Sequence, residues 1–261
     1  MEKFMTALLY VTLSLGDGTD KVDAPSVVKL ITPAEVLLVA EEVQRGIVQN
    51  VKDYTGLLVK REYVGGKDSG YQYIQFKFRE SPRGIYLKFL KPTSLKEREV
   101  LYTAKDKENI IVKRGGNRSL KNMTVVLAVD GQEATDGNRY LITDMGLRTL
   151  SERLLERIKV EANIPNTEIK VYDEAKVDGR SVKFYRMIHN KKSSAEQCYI
   201  AEIAVDKVLN IPIYYKALGY GVNDESVVLE EYSFRNIKLN VGLKDEDFSE
   251  QNPLYGFKKS K

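Results

Sequence analysis

The chain has no tryptophan, a single cysteine (Cys198) and a single histidine (His189) among its 261 residues. One cysteine excludes an intramolecular disulfide, and one cysteine with one histidine cannot assemble a structural zinc site. One histidine leaves a single side chain whose ordinary pKa lies near neutrality, and no partner residue stands beside it in sequence for general acid–base work. Strong charge of either sign is also missing: 41 basic and 37 acidic residues give a net charge of +4. Any taste for anions must therefore come from local patches, and bulk charge gives no reason to expect nucleic-acid binding. No apolar run reaches the roughly 18 to 20 residues that span a bilayer, so no integral membrane span is expected. A G-x-S-x-G nucleophile motif is absent too.

What the chain has instead is alternation. From Tyr54 to Val241, short segments place apolar and polar residues on opposite faces with a period of two, the pattern of half-buried strands. In Tyr71 to Arg79, Ile74, Phe76 and Phe78 share one face, and Ile85, Leu87 and Phe89 repeat the arrangement before Pro92. Further strands are expected over Glu99 to Ala104, Asn109 to Lys113, Glu168 to Asp173, Arg180 to His189, Gln197 to Asp206, Ile211 to Leu218 and Val227 to Val241. Their spacing and Gly- and Asn-containing turns predict an antiparallel meander that curls. The sixteen tyrosines suit such a sheet, with Tyr71, Tyr73 and Tyr86 expected on its outer face.

Two segments carry a helical period. Thr32-Pro33-Ala34-Glu35 reads as a capping box with proline at the first helical position, and Val36, Val43 and Ile47 follow on one stripe as far as Val48 or Val51. Leu147, Leu150, Leu154 and Ile158 mark a second stripe, with Thr143 or Asp144 expected as its cap and Pro165 as its end. The predicted fold is therefore mainly β (α+β): a half-open, strongly curved antiparallel barrel of about nine to eleven strands, with two amphipathic helices over its concave face.

The N-terminal segment, residues 1–31, holds an apolar run from Phe4 to Leu15 and a polar linker from Gly16 to Asp23. The run has the length of an export signal but no basic lead or small-residue cleavage site, and its Thr, Val and Tyr content suits a first strand equally. No cysteine lies near it, so lipid anchoring there is not expected. Residues 32–257 read as one domain and 258–261 as a basic tail.

The ordered stretches KDYTGLLVKREYVGG (Lys52 to Gly66), YLKFLKP (Tyr86 to Pro92), REVLY (Arg98 to Tyr102), GNRYLITDMG (Gly137 to Gly146), AKVDGR (Ala175 to Arg180), LNIPIYYKA (Leu209 to Ala217), LEEYSFRNIKLNVGLKDEDF (Leu229 to Phe248) and NPLYGF (Asn252 to Phe257) resemble a bacterial family known as domain of unknown function 1571. The family's fold is similar to that of the LolA/LolB type of periplasmic lipoprotein carrier, a half-open barrel with a helix-covered hydrophobic interior. The resemblance implies an exported, periplasmic or envelope-associated binding protein that shelters a lipid or the acyl chains of a lipoprotein; with no catalytic or metal-binding constellation in the residues, no cofactor, metal or catalysis is expected. The alternative is an envelope interaction or sensor module that holds protein or polysaccharide on the concave sheet. A monomer is expected.

Three groups of residues are candidates for the site. Ile74, Phe76, Phe78, Ile85, Leu87 and Phe89 would form the hydrophobic wall, against the alternative that they are ordinary core. Val36, Val43, Ile47, Leu147, Leu150 and Leu154 would form the covering helices. Lys113, Arg114, Arg118 and Lys121, around Gly115-Gly116, would meet an anionic group, unless they are only a solvated hairpin tip. Asp245, Glu246 and Asp247 lack the spacing of a calcium loop and read as a turn or helix start. His189 reads as an exposed strand end.

Overall fold

The computed structural model describes residues 10–13, 22–25, 28–116, 120–161, 167–189, 198–220 and 226–258. The linker at 16–21, Arg118, Pro165, the turn at 190–194 and the tail end at 259–261 lie outside the described residues.

The chain opens with three short strands, β1 (Tyr10–Leu13), β2 (Val22–Pro25) and β3 (Lys29–Ile31), followed by helix α1 (Pro33–Asn50). Next come β4 (Asp53–Val64), β5 (Lys67–Asp68), β6 (Gln72–Arg79), β7 (Gly84–Lys91), β8 (Glu99–Thr103), β9 (Asp106–Lys113) and β10 (Thr124–Ala128). A single turn, α2 (Gln132–Thr135), precedes α3 (Leu147–Glu161). The strands β11 (Thr167–Val177), β12 (Arg180–His189), β13 (Ile200–Asp206), β14 (Pro212–Tyr220) and β15 (Ser226–Leu239) complete the sheet.

All fifteen strands join one antiparallel sheet in the order β1-β2-β11-β12-β13-β14-β15-β4-β6-β7-β8-β9-β10, with β3 on β11 and β5 on β4. Among the described residues no ladder joins β1 to β10, so the sheet is open. The count exceeds the expected nine to eleven because β1, β2, β3 and β5 have two to four residues each, too few to show a period, and β10 is an edge strand with no buried residue. The last strand pairs with the first long one, β15 on β4, and this link closes the two strand groups into one sheet.

Helix α1 forms as its sequence requires. The Thr32 hydroxyl accepts from the Glu35 N–H at 3.2 Å while the Glu35 carboxylate accepts from the Thr32 N–H at 2.7 Å, and Val36, Val43 and Ile47 are buried. Helix α3 departs from expectation at its start. Thr143 and Asp144 sit in a separate turn, Ile142–Asp144, and the helix begins only after Gly146. Gly146 has φ +114°, and a Cβ there would stand 2.7 Å from the Tyr54 hydroxyl, so only glycine fits. That close approach has a use: the Leu147 N–H, a donor without an intrahelical partner, is satisfied by the Tyr54 hydroxyl at 2.7 Å.

The opposite face of β7 to β9 is covered by the C-terminal segment. Asp245–Phe248 form a turn tied to the sheet by Asp245 on Arg79 and Asp247 on Lys77, both at 2.7 Å. Phe248 lies on Gly84, where a Cβ would come within 2.7 Å of its ring. Tyr86 is therefore buried rather than solvent-facing: Tyr255 stacks on it at 3.8 Å, and its hydroxyl donates to Glu99 at 2.8 Å. Gly115 and Gly116 are not a hairpin tip either, since Cβ atoms there would stand 2.2 Å from the Arg98 nitrogen and 2.1 Å from the Ser94 oxygen. They allow two backbones to pack. His189 is buried as well, its Nδ1 3.0 Å from the hydroxyl of its cross-strand neighbour Thr167.

Candidate functional site

Helix α3 lies over β4, β14 and β15 and leaves beneath it a cleft of about 450 Å3. The register of two strands builds the floor. Leu58, Lys60 and Glu62 of β4 stand opposite Phe234, Tyr232 and Glu230 of β15, all six bordering the cleft. Leu150, Leu154 and Val160 of α3 form the roof, and Phe78, Ala217 and Leu229 extend the apolar lining. The floor thus runs from apolar, at Leu58 and Phe234, to polar, at Glu62 and Glu230, and Arg153, Glu156 and Arg157 of α3 also border the cleft.

The polar end solves an electrostatic problem set by the register. Glu62 and Glu230 face each other directly, an arrangement that like charges destabilise, and both are almost wholly buried. The Tyr232 hydroxyl lies between them, 2.5 Å from Glu62 and 3.1 Å from Glu230. It has one proton, and the shorter contact to Glu62 takes it. Glu62 also holds the Lys60 ammonium at 3.0 Å and the Arg139 backbone N–H at 3.2 Å. Glu230 accepts from the Tyr140 hydroxyl at 2.8 Å, with the Arg139 guanidinium 3.6 Å away.

Burial pushes the Glu230 carboxyl above its ordinary pKa, with Glu62 opposite adding to the effect; the Tyr140 hydrogen bond and the Arg139 charge pull against it. The same burial, with Glu230 nearby, pushes Tyr140 up to about 12 and Tyr232 well above the ordinary phenol range. Both hydroxyls therefore remain donors at neutral pH. At the rim, Arg153 lies 4.2 Å from the centre of the Tyr140 ring and pairs with Asp144 at 2.8 Å.

The structure distributes the sequence candidates among different environments. Of the six wall residues, Phe78 borders the cleft; Ile74, Phe76, Ile85, Leu87 and Phe89 are packed in the main core with it. Val43, Ile47 and Leu147 join that core, Val36 packs under the other end of α1 and α3, and Leu150 and Leu154 reach the cleft. The basic group is not brought together as an anion site. Lys113 is buried against Glu99 at 3.1 Å, Arg114 pairs with Glu133 at 2.5 Å, Lys121 is exposed, and Arg118 is outside the described residues.

The polar end was missed altogether, because charges were read as solvent-facing. One signal was available: in Leu229 to Phe234 the alternation that puts Tyr232 and Phe234 on one face also puts Glu230 there, a carboxylate on an inward face. Among the described residues no cluster of three or more His, Cys, Asp or Glu side chains is placed to hold a metal, and no helix is long and apolar enough to cross a membrane.

A family model described as a protein of unknown function, DUF1571, matches residues 51–257. No curated protein sequence matches. Solved structures to which the chain shows some similarity include the lipoprotein LppX of Mycobacterium tuberculosis, with 10% identity over 80% of this chain and 98% of that one at a TM-score of 0.46. Others are the MucA/MucB complex of Pseudomonas aeruginosa (13% identity, 82% of this chain and 60% of that one, TM-score 0.45) and a LolA superfamily protein of Nitrosomonas europaea (10%, 84% and 98%, 0.34).

Proposed function

The chain belongs to the DUF1571 family, and from its cleft we propose that it is a non-catalytic binding protein that shelters an apolar chain, that of a lipid or a lipidated protein, beneath helix α3. The observation that carries this reading is the apolar floor and roof held apart: Leu58, Phe234 and Leu229 below, Leu150 and Leu154 above, with about 450 Å3 between them. That volume is within the roughly 300–1,000 Å3 of small-molecule sites. Each buried methylene contributes about 0.8 kcal/mol, so on the order of ten of them supply what micromolar binding requires before ordering costs.

The polar end suits the head of an amphiphile. Glu62, Glu230, Lys60 and Arg139 balance one another, so a head group meets paired dipoles and charges of both signs. Every one of these groups already has a partner, which favours holding a ligand over transforming it. The proposal includes export to the periplasm or envelope, as the family resemblance implies.

Native mass spectrometry of protein purified from cells, with titration of a fluorescent fatty-acid probe, tests the reading. Lipid-sized adducts and saturable probe binding are expected, and Leu229→Asp, a half-buried position, should lose the probe while its circular dichroism stays unchanged. Ligand-free protein that also ignores the probe would sink the proposal.

A further inference from the structure

The cleft does not end where α3 covers it. On the helix-bearing face one cross-strand row runs through five strands: Lys60 of β4 pairs with Tyr232 of β15, Tyr232 with Tyr215 of β14, Tyr215 with Ile203 of β13, and Ile203 with Tyr185 of β12. The first three residues of this row border the cleft. The last two border a second, much smaller void of about 40 Å3, closed above by Val39, Ala40 and Val43 of α1. Neighbouring strands lie about 4.8 Å apart, so the row from Tyr232 to Tyr185 spans about 14 Å of unbroken floor.

Leu154 is the one residue, among those described, that borders both spaces. It is 9% exposed and stands on α3 where the first space gives way to the second. The small void is apolar in character. Its serine, Ser151, turns its hydroxyl back to the Arg148 carbonyl at 2.8 Å, leaving little to hold water.

We infer that Leu154 sets the length of the apolar chain the cleft accepts, acting as a stop between the occupied cleft and a reserve of apolar space beyond it. The inference rests on the reading of the cleft as an acyl site. A chain entering with its head at Tyr140 and Arg139 runs along the floor toward Leu154, and the methylenes that would pass it must stay outside. Shortening this side chain joins the two spaces, and enlarging it brings the stop closer to the polar end.

A series of saturated straight-chain fatty acids, each two methylenes longer than the last, tests this by native mass spectrometry and displacement of a fluorescent probe. For the full chain, affinity should rise by roughly fourfold per methylene and then level off at one length. Leu154→Ala should move the plateau to longer acids by at least one step, about sixteenfold in affinity for the first acid beyond the original plateau. Leu154→Phe should move it the other way, and Ala40→Leu, which fills the second void, should return Leu154→Ala to the original plateau. Thermal melts establish that each variant is folded; should Leu154→Ala fail to fold, Leu154→Val and Leu154→Phe carry the comparison. Acids binding the full chain with a plateau that no substitution moves would overturn the role of Leu154 alone. A full chain that binds none of the series would overturn the acyl reading itself.

Discussion

Over β7 to β9 the C-terminal segment lies in direct contact with the sheet, Tyr255 stacked 3.8 Å from Tyr86 and the Gly256 N–H donating to Glu99 at 3.1 Å, whereas over β4, β14 and β15 helix α3 stands off and leaves about 450 Å3. Both regions present alternating strands with buried charges. In the first, Glu99 is filled on every side, by Lys113, Tyr86 and Gly256. In the second, Glu62 and Glu230 are satisfied around the edge of an opening. The difference lies in the covering layer: a strap conforms to a sheet residue by residue, and a rigid helical cylinder touches it along a stripe.

The largest expected effect falls on the strapped side. Glu99→Ala leaves the buried Lys113 ammonium without its carboxylate and should cost about 3–5 kcal/mol in urea unfolding, with faster proteolysis near residues 249–258. A cost near that of a surface substitution would erase the distinction between the two regions. Tyr232→Phe comes next: Glu62 loses its short hydrogen bond opposite Glu230, for about 1–3 kcal/mol by the same measurement. On the cleft side, Leu229→Ala should cost about 1 kcal/mol or less, well below the roughly 2–5 of a fully buried leucine, because it widens a space that already exists. Its effect should appear in probe affinity instead.

The smallest effect is one of pH. Because the Glu230 carboxyl titrates above its ordinary range in the folded chain, the folded state holds that proton longer than the unfolded state does. Its contribution to stability is present below the unfolded carboxyl pKa and is lost as pH rises through the folded value. Glu230→Gln removes the titration. Thermal melts from acid to neutral pH should therefore show the variant gaining on the natural chain as pH rises, and parallel curves would place Glu230 in better contact with water than its burial indicates. Glu202 is raised by burial too, so the difference between the two chains, rather than either curve, isolates Glu230.

Much of the fold was legible because it is local. The capping box at Thr32 and Glu35, the stripes at Val36-Val43-Ile47 and Leu147-Leu154-Ile158, and the alternation through Ile74, Phe76 and Phe78 each need only a few neighbouring residues to be recognised. Short strands such as β3 and β5 were not legible, because three and two residues are too few for an alternation to repeat. Nor was the site. Its central contact, Tyr232 to Glu62, joins residues 170 positions apart, and nothing in either strand's own pattern announces the other. Phe76 and Phe78 show the limit from the other direction: they share a strand face and an alternation, yet one is sealed in the core and the other borders the cleft, according to where α3 begins above them.

The hydrogen bond from Leu147 to Tyr54, with Arg83 donating to the Met145 carbonyl just before it, fastens one end of α3 to the sheet. At the other end Val160 is 64% exposed. At that end, though, Ile158 is buried against Val36 of α1, so the helix is held at both ends, to the sheet beside Gly146 and to α1 through Ile158. Fifteen residues at 1.5 Å each make a rod of about 22 Å, so α3 crosses the cleft as a beam fixed near both ends rather than as a flap hinged at one.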